Sequence, residues 1–447
     1  MRRAKVAAPP EEGTVAALTH DGEGIVRDGK AAFVGGALPG EVIRFRRLRR
    51  HRSHDEAQLL EVIAPSADRV TPRCAHFGVC GGCALQHLQA DRQIELKDRE
   101  LRDALERVAK VTPDAWLAPL QGPQWGYRRR ARLGVRYVPK KGRVVVGFRE
   151  RLAPYIAAVE RCEVMSAPVG ALIGPLSVML TGLASREQIP QIEVAIAENV
   201  TALVFRVLCE LSEADRAALR DFAHRHQLRI YLQTGGLATV APLDPGSDAE
   251  PLRYSLPQFG VTYDFAPTDF VQVNAELNAA MVSQVISQLD LDADSRVLDL
   301  YCGLGNFSLP LARRVAQVVG VEGEAALVDR ARHNAIMNGL TNARFVAADL
   351  TQPLPLNAPW LAAGVTHVVL DPPRVGALNV MPTIAQLAPR RVAYISCHPG
   401  SLARDIAVLV HEFGFALRVA GVLDMFPHTA HVESLAVLTP PKMKSRE

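Results

Sequence analysis

The sequence predicts a multidomain α/β protein: a small N-terminal β-barrel, a small α+β middle domain, and a C-terminal doubly wound parallel sheet. Three observations carry this. The 447 residues suffice for two to four domains of ordinary size. Between residues 11 and 62, short runs of alternating polarity are separated by Asp-Gly, Gly-Lys and Pro-Gly turns, the texture of a compact barrel. From about Asp264 onward, apolar runs of strand length alternate with helical stretches, as in a parallel sheet covered on both faces. The expected divisions are 1–65, 66–260 and 261–447.

In the barrel the strand runs are Gly24–Arg27, Ala31–Val34 and Glu41–Arg46. Its edge holds six arginines (Arg44, Arg46, Arg47, Arg49, Arg50, Arg52) with no acid among them. A cysteine-bearing segment, Cys74 to Cys83, then leads into a charged helix at about Asp91–Val111. A basic β-hairpin follows from Tyr127 to Phe148, turning near Pro139–Gly142. From Arg128 to Arg151 there are ten Lys or Arg against the single acid Glu150. The middle domain continues with strands Gln191–Ala197 and Ala202–Leu208, helix Ser212–His226 and strand Arg229–Gln233. In the last domain the apolar strands are Val297–Leu300, Val315–Val321, Ala343–Val346, Val365–Leu370 and Arg391–Ile395.

Composition narrows the function classes. A hydrophobic fraction of 48% and a charged fraction of 22% are those of a soluble globular chain. The net charge of +4 says little, but two local basic tracts point to phosphate-binding surfaces; a solvated charged face is the alternative for either tract alone. The start MRRAKVAAPP is followed by EEGT with no apolar stretch, so it does not read as an export signal. Val164–Ser185 is uncharged but broken by Pro168, Gly170, Gly174, Pro175 and Gly182, which reads as a buried helix–loop and not as a membrane span. The expected compartment is cytoplasmic, and there seven cysteines point to metal or catalysis before disulfides.

The first strand of the last domain runs into Val297-Leu298-Asp299-Leu300-Tyr301-Cys302-Gly303-Leu304-Gly305-Asn306-Phe307. Glycines here let the backbone turn sharply and approach a ligand at the mouth of the sheet, but the third glycine of a dinucleotide loop is missing. Glu322 ends the second strand, where it can accept from ribose hydroxyls. Asp349 closes the third, where a purine amine can donate to it, and Asp371 in Asp-Pro-Pro-Arg closes the fourth. An acid at the end of four successive strands resembles the class I methyltransferases that use S-adenosyl-L-methionine (SAM), with a Rossmann-like fold, over residues 290 to 440. The resemblance implies SAM as cofactor, bound by Tyr301, Asn306, Glu322, Asp349 and Asp371.

Two further motifs name a reaction. Tyr394-Ile395-Ser396-Cys397-His398-Pro399 ends the fifth strand at the cofactor face, and Phe426-Pro427-His428-Thr429-Ala430-His431-Val432-Glu433 lies near the C-terminus. Carbon 5 of uracil is a poor nucleophile. A thiolate adding to C6 makes C5 enolate-like, and a base must later take the C5 proton. These motifs resemble the nucleophile and base of the uracil-C5 RNA methyltransferases, which makes Cys397 the nucleophile and Glu433 the base, with Asp371 on the uracil edge. Phe270-Val271-Gln272-Val273-Asn274 resembles that family's Phe-x-Gln-x-Asn, which implies that Gln272 contacts SAM and Phe270 lines the substrate pocket. The family usually carries Asn after the nucleophile; here it is His398. Alone, Cys397 would read as a buried structural cysteine, and His428, His431 and Glu433 could be read as a metal triplet.

Cys74-x5-Cys80-x2-Cys83 places three thiols close together among glycines, with Cys162 as a candidate fourth ligand. Spacing alone leaves zinc and iron–sulfur open. The pattern resembles the [4Fe–4S] site of the ribosomal-RNA branch of the same family, which implies a structural or RNA-docking cluster on Cys74, Cys80, Cys83 and Cys162. Gly13-Thr14-Val15, Asp21-Gly22-Glu23-Gly24 and Leu38-Pro39-Gly40-Glu41 resemble the TRAM domain, an OB-like RNA-binding barrel whose arginine edge would hold phosphates. Together these imply a monomer in the cytoplasm acting on 23S ribosomal RNA, without membrane or obligate protein partner. The competing readings are a relative acting on another 23S or tRNA uridine, a methylthiotransferase, and a non-catalytic RNA-binding or ribosome-assembly protein.

Overall fold

The protein is described here as a computed structural model covering residues 9–244, 246 and 250–441; the first eight residues of the basic start lie outside the described residues. Strands β1 (Glu11–Leu18), β2 (Glu23–Val26), β3 (Ala32–Gly35), β4 (Val42–Arg50) and β5 (Asp55–Ala64) close into a barrel in the order β1-β2-β3-β5-β4. Alternate residues, Val15, Val26, Val34, Ile43 and Phe45, point inward and fill it. The arginine edge is less free than its sequence suggests. Arg44 pairs with Glu12 and Glu61, Arg47 with Glu11 and Asp55, and Arg49 with Glu56. The acids absent from the tract itself arrive from the strands on either side, β1 and β5.

Helix α1 (Ala90–Asp103) continues as a π-turn to Ala109 and leads to the short strand β6 (Ala115–Trp116). The basic hairpin is β7 (Arg130–Val138) and β8 (Arg143–Gly147). Helix α2 (Val169–Thr181) covers it and buries Leu172, Ile173, Leu176 and Leu180, so the uncharged stretch is core. Among the described residues no helix is long and apolar enough to cross a membrane. Strands β9 (Gln191–Ile196) and β10 (Thr201–Arg206), helix α3 (Glu213–His226), and strands β11 (Leu228–Gln233) and β12 (Val240–Pro242) complete the middle region. Ser212 caps α3 by accepting from the Asp215 N–H at 3.1 Å. Hairpin and later strands form one six-stranded sheet, β12-β11-β10-β9-β7-β8.

A second hairpin, β13 (Leu252–Leu256) and β14 (Val261–Phe265), precedes α4 (Ala275–Gln288). Then come β15 (Arg296–Leu300), α5 (Ser308–Ala312), β16 (Gln317–Glu322), α6 (Ala325–Met337), β17 (Ala343–Ala347), β18 (His367–Leu370), α7 (Met381–Leu387), β19 (Arg391–Ser396), α8 (Pro399–Ala407), β20 (Ala416–Leu423) and β21 (Glu433–Thr439). The sheet order is β17-β16-β15-β18-β19-β21-β20-β6. Its five predicted strands are parallel, and alternate residues serve opposite faces. Val297, Val318 and Val369 pack in one core, Leu298, Val319 and Val368 in the other. The antiparallel pair β20–β21 and the added edge β6 were not expected. Leu101, Leu105 and Ala109 of the α1 segment pack in the same core as Leu298 and Leu370, so this segment lies on the C-terminal sheet although it precedes the basic hairpin.

Candidate active site

Strand β15 pairs with β16 on one side and β18 on the other, so the chain leaves it in opposite directions and opens a crevice at its carboxyl end. The glycine loop fills that position. Gly303 and Gly305 have φ of +54° and +96°, left-handed values that favour glycine. Glu322 at the end of β16 accepts from the Gly303 N–H at 3.0 Å and the Gly323 N–H at 2.8 Å, which ties the loop to the acid. The Tyr301 hydroxyl donates to the Leu350 carbonyl at 3.2 Å. Asp299 is fully buried beneath the loop, accepts from the Ser308 hydroxyl at 2.5 Å, and is pushed up to about 7 by that burial. Asp349 is exposed, and hydrogen bonds from Thr351 hold its carboxyl below the usual range. Asn306 is engaged differently from the others: its side-chain oxygen accepts from the Tyr254 hydroxyl at 3.2 Å and from Asn278 at 3.0 Å.

Gln272 is buried between two partners. Its side-chain amide donates to Asp371 at 3.1 Å, and its backbone carbonyl accepts from Arg129 at 2.7 Å. Phe270, two residues earlier, is 68% exposed and free to meet a ligand. Asn274 closes the motif by capping α4 through the Leu277 N–H at 3.2 Å.

Strand register brings the proposed nucleophile and base together. β19 and β21 are antiparallel with Ile395 opposite Leu435 and Ser396 opposite Ser434. Continued by one residue, the ladder sets Cys397 opposite Glu433. Asp371 follows directly on β18, the neighbour of β19 on its other side. Burial pushes the Cys397 thiol up to about 11, helped by the charges of Glu433 and Asp371 and opposed by Arg374. Glu433 is buried and stands well above the carboxylate range, first from burial and then from Asp371; Asp371 is raised by burial while the Gln272 hydrogen bond opposes. Two carboxyls in one dry site cannot both ionise easily, so the site favours holding a proton.

The departure at His398 has a local explanation. His398 is the N-cap of α8, and its Nδ1 accepts from the Ser401 N–H at 3.1 Å. An Asn side chain performs the same task at an N-cap. Nδ1 is therefore an acceptor and the other ring nitrogen carries the proton. Cys397 and His398 open on a pocket walled also by Arg374, by Cys83, and by His20 and Asp21 of the β1–β2 turn. Barrel, cysteine segment and C-terminal sheet thus meet at Cys397, an arrangement with no signal in the sequence.

The four predicted ligand cysteines, Cys74, Cys80, Cys83 and Cys162, border one pocket beside Arg128 and Phe148. All are free thiols. Burial pushes Cys80 up to about 11 and Cys83 to about 12, and neighbouring cysteines raise both further. The Gly82 N–H points at the Cys80 sulfur at 3.4 Å, and Arg128 favours negative charge there. Thiol donors, amide support and a nearby guanidinium fit an anionic metal–thiolate centre. Among the described residues no group of three or more His, Cys, Asp or Glu stands in the arrangement of a metal site, neither the four cysteines nor His428, His431 and Glu433.

Known proteins similar to this chain agree in kind. The family described as tRNA (uracil-5-)-methyltransferase matches residues 91–440. A protein of Alkalilimnicola ehrlichii named 23S rRNA (uracil(1939)-C(5))-methyltransferase RlmD is 50% identical over 438 residues, covering 98% of each chain. One of the same name from Stenotrophomonas maltophilia is 48% identical over 97% of this chain and 98% of its own. Among solved structures, the Pyrococcus abyssi tRNA (uracil-54, C5)-methyltransferase in complex with S-adenosyl-L-homocysteine superposes with a TM-score of 0.75 at 23% identity, over 96% of this chain and 99% of that one. That likeness is one of fold.

Proposed function

This chain belongs to the tRNA (uracil-5-)-methyltransferase family, and on that premise we propose that it transfers a methyl group from SAM to C5 of a uracil in 23S rRNA, with position 1939, named for its relatives, as the expected target. The observation that supports the reading is the β19–β21 register, with Ser396 opposite Ser434, whose continuation by one residue would align Cys397 with Glu433 beside Asp371. The relatives' names supply the RNA.

SAM supplies the methyl cation equivalent. The chain's own residues do the rest. Cys397 adds as thiolate to C6, making C5 nucleophilic toward the methyl group. Glu433 then takes the C5 proton; the C–H electron pair re-forms the C5–C6 double bond, the C6–sulfur bond breaks, and the thiolate leaves. Burial raises the proton affinity of Glu433, so it holds the proton it takes. It must reach this step as the carboxylate, the proton held by the buried pair in the free protein having left it. Asp371, oriented by Gln272, meets the uracil edge, and exposed Phe270 lines the pocket. Tyr301, Asn306, Glu322, Asp349 and Asp371 form the SAM site with Gln272. For Asn306 this means shaping the loop, given its bonds to Tyr254 and Asn278.

Cys74, Cys80, Cys83 and Cys162 would hold a [4Fe–4S] cluster, with a structural or RNA-docking role. Residues 1–65 act as a TRAM-like RNA-binding barrel, 66–260 carry the cluster segment and the middle sheet, and 261–447, joined by the α1 segment and β6 from the preceding stretch, act as the methyltransferase. The work is done in the cytoplasm. The test is an assay with protein purified without oxygen, tritiated SAM, and unmodified 23S rRNA, 16S rRNA and tRNA offered separately, with the nucleosides identified. 5-Methyluridine in 23S rRNA alone, lost in Cys397→Ala, is the expected result. No 5-methyluridine in any RNA from SAM-binding protein would sink the assignment.

A further inference from the structure

The loop that delivers Glu433 is gripped by a segment far away in sequence. The Phe426 carbonyl accepts from Lys97 Nζ at 2.9 Å, across 329 positions, and the Pro427 carbonyl accepts from the Tyr127 hydroxyl at 2.9 Å, across 300. The His428 carbonyl accepts from the Ala84 and Leu85 N–H groups, both at 2.9 Å. The His428 N–H donates in turn to Gln93 at 3.0 Å. Three successive carbonyls are therefore held by one region, and the residue at the centre needs holding. His428 has φ +65°, a conformation that side-chain-bearing residues seldom adopt unless their surroundings impose it. Trp125 lies against its ring, the centroids 3.9 Å apart and the planes tilted by 31°.

The grip is itself anchored. Lys97 is 1% exposed and paired with Asp424 at 2.6 Å. Ala84 is the residue after Cys83, and Leu85 packs against Gly22 of the barrel so closely that a Cβ there would meet it at 2.7 Å. Cys397 and the glycine loop follow β19 and β15 of the sheet, while Glu433 is the first residue of β21, so its entry into the sheet comes directly from the gripped loop.

We propose that Gln93 and Lys97, with the Ala84 and Leu85 amides beside Cys83, are positioning groups for Glu433, so that proton removal from C5 depends on the cysteine segment while SAM binding and thiolate addition do not. This rests on Glu433 being the base. A metal–thiolate centre on the four cysteines would fix the two amides, so its loss should release the base loop first. The grip adds no chemistry of its own: Glu433 still receives the C5 proton and Cys397 still leaves with the electrons of the C6–sulfur bond.

The test uses full-length, iron-loaded protein. Gln93→Leu is one variant. The double variant Lys97→Met, Asp424→Leu removes both halves of the buried pair so that no charge is stranded, and Lys97→Arg is the conservative partner. Each is mixed with SAM and an unmodified 23S rRNA fragment; SAM affinity, iron per chain, denaturation-resistant protein–RNA adduct and its rate of resolution are measured. The expected result is SAM affinity and iron within about twofold of the parent, a methylated adduct that forms, and resolution slowed about tenfold or more, partly restored in Lys97→Arg. An adduct that resolves at the parent rate, or losses that fall equally on SAM binding and adduct formation, would overturn the proposal. Glu433→Gln is the separate control: if it does not trap the adduct, the base assignment fails whatever the other variants do. Deuterium exchange completes the test. Peptides covering 424–435 should exchange faster once iron is removed while those covering 296–307 do not, and unchanged exchange in both would refute the link to the cysteines.

Discussion

The free protein should hold its nucleophile as an unreactive thiol, and this can be measured directly. Burial first, then Glu433 and Asp371, lift Cys397 from the ordinary 9.0 to about 11. At pH 7.5 that leaves about one thiolate in 3,000 molecules, where an ordinary cysteine has about one in 30. Alkylation by iodoacetamide follows the thiolate population. In iron-loaded Cys209→Ser protein, which lacks the exposed Cys209, modification of the Cys397 peptide read by mass spectrometry should accelerate about tenfold per pH unit from pH 7 to 10 with no plateau. Because burial is the larger cause, Glu433→Gln should shift this profile to lower pH by less than the whole displacement. SAM, which brings a sulfonium cation, should shift it the same way. A plateau at or below pH 9 in the free parent protein would refute the reasoning, since the thiol would then stand in a wet or positive site.

Three further outcomes follow from named contacts. His398→Asn should retain the α8 cap, while His398→Ala should cost about 1 kcal/mol in denaturant unfolding; because the fold lowers the His398 pKa, the cap's contribution is complete above 6.5 and is lost as pH falls through the folded value, which melting from pH 8 to 5 would register. Lys97→Met alone strands buried Asp424 and should cost about 3–5 kcal/mol, most of it recovered in the double variant with Asp424→Leu, by the same unfolding measurement. In the barrel, Arg50→Ala and Arg52→Ala should each lower the slope of log RNA affinity against log salt by about 0.7–0.9, whereas Arg47→Ala, whose partners are Glu11 and Asp55, should lower stability and leave the slope nearly unchanged.

What the sequence made legible is what short stretches encode alone. A strand running into Gly303 and Gly305, an acid ending each strand, and Cys397 at a strand terminus are each readable because one local conformation places them at the crevice. The five parallel strands were readable for a similar reason: Val318–Val321 or Val368–Leu370 is apolar on both faces, which a doubly covered sheet permits. What stayed hidden depends on partners distant in the chain. The acids that neutralise Arg44, Arg47 and Arg49 sit on other strands, and Asn306, read as a cofactor ligand, is taken up by Tyr254 and Asn278. Strands β20 and β21 have no intervening helix to mark them, yet the β19–β21 register, continued by one residue, sets Cys397 opposite Glu433. Lys97 reads as one more charge in a charged helix until the fold buries it against Asp424. Reactive groups and the means of aiming them are therefore written at different ranges. The first lie in motifs of a few residues; the second spans 300 positions or more, from Lys97 and Tyr127 to the loop before Glu433. A substitution near Gln93, Lys97 or Tyr127 should then look like a defect in chemistry while every catalytic motif remains intact.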